Sequence, residues 1–220
     1  MFRKELQVLN YIPMEKRYNV EEFLEFVETE SQKPGNENNR YELIDGVIYM
    51  MGYPSMTHHN ICEFISTAFK DYFGNKGCTV IYGPVALFLF DKRHFALFDP
   101  SKSELSNYFG PDVMVLCDKN TKIKDEGVFG VPDIIVEVVS KSNASNDYIR
   151  KLYPYFVCGV KEYWIVDPIK RIIRIYDMIT DPNYSIGFNY TFDHVVRSEM
   201  FLDLHIDFKL FTGFVEKYNE

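Results

Sequence analysis

A chain of 220 residues, 46% hydrophobic and 25% charged, with 19 Phe and 16 Tyr, has enough large apolar side chain for the core of one α/β domain. Its longest apolar run, around residues 85–90, falls far short of the roughly 20 residues of a membrane helix, and Met1-Phe2-Arg3-Lys4-Glu5 opens no apolar signal segment. The formal net charge of −8 argues against coating nucleic acid by bulk attraction, but not against a nuclease that recruits a divalent cation.

The expected organisation is a tail over 1–17, a single domain over 18–212 and a second tail over 213–220. Val20, Phe23, Leu24 and Val27 form one helical stripe that Asn19 can cap, and Pro34, Gly35 and several Asn mark a following loop. Asp45-Gly46 between the β-prone runs 40–44 and 47–50 predicts a hairpin with a two-residue turn. Pro54 and Ser55 lead into a helix over about 57–73, striped by Ile61, Phe64, Ile65, Ala68, Phe69 and Tyr72.

Residues 78–90 read as one strand or as two broken at Gly83-Pro84, 91–109 as a loop or hairpin tip, and 119–130 as a charged loop. Runs 112–117 and 134–139 are apolar strands, 144–158 a helix that Gly159 can end, and 162–167 and 171–177 two further strands. The last forty residues suit peripheral strands at 184–192, 194–200 and 202–208. The four cysteines, Cys62, Cys78, Cys117 and Cys158, form no CxxC pair, so reduced cytoplasmic thiols are expected rather than a zinc knuckle or a disulfide framework.

Each of the two central strands carries one carboxylate, Asp112 and Glu137, where an apolar residue is otherwise expected. A carboxylate buried in a strand is costly unless paired or bound to a cation. Side by side, the two would repel unless a proton or a metal intervened, and hard oxygen ligands suit Mg²⁺ or Mn²⁺, with a backbone carbonyl such as that of Val138 completing the protein's share. Asp147, Lys151 and Tyr155 stack at spacing four on the following helix, which makes Lys151 the best candidate for a nearby ammonium. Pro154 in that helix should kink it. Plainer readings stand beside these. Asp112 could bind loop amides, Glu137 could be a metal-free ion pair with Lys151, and Glu42 could face solvent in its hairpin. His58 and His59 could cap or pack a helix start, and Asp133 could be structural or solvated.

Together these segments carry a resemblance: Gly110-Pro111-Asp112-Val113-Met114-Val115-Leu116-Cys117-Asp118, then 131–140, then Asp147 through Lys151 to Tyr155, then 159–168, with 41–46 and 54–58 upstream. They resemble the Uma2 family, of the PD-(D/E)xK restriction-endonuclease-like superfamily, over about residues 18–211. The resemblance implies an α/β (α+β) fold, a restriction-endonuclease-like mixed central sheet flanked by helices, with an N-terminal helix and β-hairpin and extra C-terminal strands. It implies Asp112 and Glu137 as ligands of Mg²⁺ or Mn²⁺. The lysine of the superfamily motif, expected two residues after Glu137 where Val139 stands, is displaced to Lys151 as in Uma2; Glu42 and His58 match further recurrent positions. The expected activity is Mg²⁺-dependent hydrolysis of DNA phosphodiesters by a cytoplasmic enzyme, with a homodimer as the suggested assembly. A catalytically weak or inactive scaffold that binds nucleic acid or a protein, or hydrolysis of another phosphoester, are the alternatives.

Overall fold

The structure is a computed structural model that describes residues 16–89, 107–119, 121–140, 144–181 and 187–211. Most of both expected tails, and most of the stretch 91–109, lie outside the described residues.

Helix α1, Val20–Ser31, begins in a capping box in which Asn19 and Glu22 satisfy each other's backbone amides. Strands β1, Arg40–Ile44, and β2, Val47–Met51, pair antiparallel across Asp45 and Gly46, whose φ angles of 52° and 75° are those a tight hairpin turn demands. Helix α2, Met56–Phe73, is capped by Ser55, whose side chain accepts from the His58 amide. There follow β3 (Thr79–Tyr82), β4 (Leu87–Leu89), β5 (Asn107–Phe109) and β6 (Val113–Leu116).

Residues 119–130, expected as a loop, contain the short hairpin β7 (Lys122–Lys124) and β8 (Gly127–Phe129). Lys122, Ile123 and Lys124 are all exposed, so no apolar alternation announced it. Strand β9 is Ile134–Val138, α3 is Leu152–Cys158, and the remaining strands are β10 (Glu162–Asp167), β11 (Ile172–Asp177), β12 (Gly187–Thr191), β13 (Val195–Arg197) and β14 (His205–Asp207).

Among the described residues the strands form two mixed six-stranded sheets and a hairpin, ordered β2-β1-β5-β4-β8-β7, β12-β11-β10-β9-β6-β3 and β13-β14. Alternation along β9 assigns its two faces. Ile134, Val136 and Val138 pack with Ile61, Ile65 and Phe69 of α2. Ile135 and Val139 face the other way, toward Tyr155 of α3 and toward Ile44, Leu87 and Phe109 of the first sheet. On that first sheet Leu43 turns outward to Phe23 of α1. Its neighbours Glu42 and Ile44 therefore face inward, between the sheets, and Glu42 is 2% exposed, so the solvent-facing reading of that residue is wrong.

A second correction concerns sulfur. Cys78 and Cys117 form a disulfide, contrary to the expectation of reduced thiols throughout. The β3–β6 register pairs Thr79 with Leu116, so the next pair outward is Cys78 with Cys117, neighbours in space despite a separation of 39 residues in sequence. Only the strand register reveals that pairing.

Candidate active site

The register of β6 and β9 pairs Val113 with Val136, so the step beyond sets Asp112 opposite Glu137 on one face. Asp112 Oδ2 accepts from the Val138 amide at 2.7 Å and lies 3.0 Å from His58 Nε2. Glu137, in the middle of a fully buried strand, uses Oε1 to accept from Lys151 Nζ at 2.9 Å and from the Tyr155 hydroxyl at 2.7 Å.

Lys151 owes its aim to a break in its helix. Residues Asn146–Arg150 form a π-helical turn, with the Lys151 amide donating five residues back to the Asn146 carbonyl, and α3 starts afresh at Leu152. Pro154 thus falls in the first turn of a new helix, where a missing N–H costs little. The ammonium is 1% exposed and lies 3.0 Å from Glu42, 2.9 Å from Glu137 and 3.3 Å from Asp147. Glu42 Oε1 also accepts from the Gly110 amide at 3.0 Å, which ties β1 to the entry of β6. Its Oε2 is buried without an aligned hydrogen bond although Lys151 Nζ is only 3.0 Å away.

One ammonium thus faces three buried carboxylates, with Asp112 beside them. Burial pushes the Glu137 carboxyl well above the usual range; Lys151 opposes this, while Asp112, Asp147 and Glu42 add to it. Burial likewise lifts Asp147 to about 6. For Lys151 burial alone would depress the ammonium, but Glu137, Glu42 and Asp147 outweigh it and hold its pKa well above the ordinary value. Among the described residues the cluster keeps the lysine charged and holds more carboxylates than cations. The carboxylate excess suits a hard divalent cation held by oxygen, and Asp112 and Glu137 are the residues that could hold one. The carboxylates line a cavity of about 260 Å³ that also reaches Phe23, Tyr41 and His58.

Of the other residues weighed from sequence, His59 turns away to the Tyr82 hydroxyl, 2.6 Å from its Nδ1. Asp133 is buried and structural: it accepts from the Cys117 amide at 2.6 Å and meets Lys161. Trp164 and Tyr163 lie in the two cores. Asp147 and Tyr155 also join the cluster, and their spacing of four from Lys151 is the sequence signal for it. Cys62 stands one turn after His58, and its Sγ lies 3.5 Å from His58 Nδ1.

The arrangement is that of a mixed α/β protein with a nuclease fold. The crystal structure described as a "putative nuclease belonging to DUF820" from Anabaena variabilis superposes with a TM-score of 0.63 at 16% identity, covering 87% of this chain and 95% of that one. The family described as "Putative restriction endonuclease", Uma2, matches residues 20–209, and the chain belongs to it. "Uncharacterized protein slr1290" of Synechocystis sp. is 25% identical over 196 residues, covering 82% of this chain and 92% of that protein.

Proposed function

We propose that the protein is a metal-dependent endonuclease that hydrolyses DNA phosphodiesters with Mg²⁺ or Mn²⁺ at Asp112 and Glu137. The observation that carries this reading is the buried carboxylate excess around Lys151 at one end of a solvent-reaching cavity. When bound, the cation supplies Lewis acidity toward the phosphoryl oxygens and neutralises their charge. The protein's own groups do the rest. His58 and the Val138 amide hold Asp112. Tyr155 fixes the rotamer of Glu137. Lys151 orients the attacking water or meets the charge that develops on the phosphate. Glu42 and Asp147 keep that ammonium in place beside Glu137.

The test is nicking of supercoiled plasmid in Mg²⁺. Asp112→Ala and Glu137→Ala should each abolish it while circular dichroism stays native; undiminished cleavage by either variant would sink the mechanism. The Glu137–Lys151–Tyr155 contacts also satisfy one oxygen of Glu137 without any metal, which favours a second reading, a non-catalytic nucleic-acid or protein binder. Calorimetric titration with Mn²⁺ separates the two, since only the first requires a saturable site. A homodimer able to cut both strands, and a cytoplasmic location, belong to the same proposal. In a reducing cytoplasm Cys78 and Cys117 would be thiols, and the β3–β6 ladder would pair them without the bond.

A further inference from the structure

His58 and Cys62 stand four apart on α2, on one helical face, with Asp112 across from them. Nδ1 of the ring lies 3.5 Å from the Cys62 sulfur, Nε2 lies 3.0 Å from Asp112 Oδ2, and one donor atom from each residue falls within 4.8 Å of the others. We propose that these three residues form a second cation site, selective for a thiophilic divalent ion of the Zn²⁺ class, and that an ion held there withdraws Asp112 from the nuclease site.

The donor chemistry argues the selectivity. Mg²⁺ takes oxygen ligands, whereas a thiolate, an imidazole and a carboxylate together match Zn²⁺, Co²⁺ or Cd²⁺. Tetrahedral bonds of about 2.0–2.3 Å need donors roughly 3.3–3.8 Å apart, so the trio must close by up to about an ångström. The Asp112 carboxylate is already oriented by the Val138 amide at 2.7 Å, the kind of supporting contact that metal ligands keep. Access comes through the cavity, which both His58 and Asp112 line. On binding, the thiol proton passes to the buffer.

The same trio in the order thiol, imidazole, carboxylate also evokes a nucleophilic relay. Cys62 is 3% exposed, so no substrate-sized molecule reaches its sulfur.

Ion binding does not depend on the nuclease reading; the inhibition does. The full-length protein, stripped with EDTA, is titrated with Co²⁺ while the near-ultraviolet thiolate-to-cobalt band is followed. One equivalent should saturate the band in wild type, in Glu137→Gln and in Cys158→Ser, and the band should vanish in Cys62→Val, whose fold is checked by circular dichroism. An absent band in wild type overturns the proposal, as does one that survives Cys62→Val or disappears in Glu137→Gln. In the plasmid assay, the Zn²⁺ concentration that halves the Mg²⁺-supported rate should rise at least tenfold in Cys62→Val, measured against that variant's own zinc-free rate; an unchanged value overturns the competition for Asp112. Failure of the wild type to cleave at all would refute the nuclease reading and leave the cobalt spectrum to judge the site.

Discussion

Lys151 is the residue on which the site turns. Its ammonium is fully buried and stays charged because three carboxylates surround it. Lys151→Met strands those carboxylates, and urea unfolding at pH 8 should show a loss of about 3–5 kcal/mol together with loss of nicking. Asp147 gives the complementary pH test. Its carboxyl pKa is lifted from 3.8 to about 6, so between these values the folded protein holds a proton that the unfolded chain has released. Stability from this group therefore falls as pH rises through that window and levels off above it. Asp147→Asn, compared with wild type in EDTA, should gain up to about 3 kcal/mol above pH 6, and the gain should close by about pH 4. A gap that widened toward acid would reverse the sign and refute the assignment. Asp112, Glu137 and Lys151 were legible in sequence because charge stood out against apolar runs or against a spacing of four. Glu42 was not: alternation shows that it faces away from Leu43, but not that a second sheet covers that side.

At the scale of elements, the segment that carries Lys151 is two short pieces, a π-helical turn and α3, in place of the single kinked helix expected. Pro154 lies in the first turn of the second piece, so Pro154→Ala should change the melting free energy by less than about 1 kcal/mol. Gly159 closes α3 with φ of 94°, a left-handed conformation that costs a side-chain-bearing residue roughly 1–2 kcal/mol. Gly159→Ala should lower stability by that amount in urea titrations. The proline substitution separates the accounts, because an ordinary uninterrupted helix would gain from losing its proline. What stayed hidden in sequence at this scale were pairings. The exposed hairpin β7–β8 has no amphipathic pattern, and Cys78 meets Cys117 only through a strand register that no local signal carries.

The molecule as a whole is layered, with α2 on one face of the central sheet and α3 and the first sheet on the other. Fold class and most strands could be read from apolar runs and turn residues; the division of the described strands into two six-stranded sheets could not, since it depends on β1 and β4 each pairing with β5 across the chain. The polar cluster sits where these layers meet, joined through Glu42 from one sheet, Glu137 from the other and Lys151 between them. A cation bound there stabilises only the assembled layers. Mn²⁺ at a hundredfold excess over its dissociation constant should add about 2.7 kcal/mol, read as a melting-temperature rise on the order of 5–10 °C that Asp112→Asn abolishes.

The central claim is that Asp112 and Glu137 hold a catalytic cation, and anomalous diffraction from a crystal soaked in Mn²⁺ addresses it directly. The account predicts a manganese peak within about 2.3 Å of a carboxylate oxygen of each residue, with Lys151 retained by Glu42 and Asp147. Density showing no manganese there, with Glu137 still bound to Lys151 and Tyr155, would contradict it.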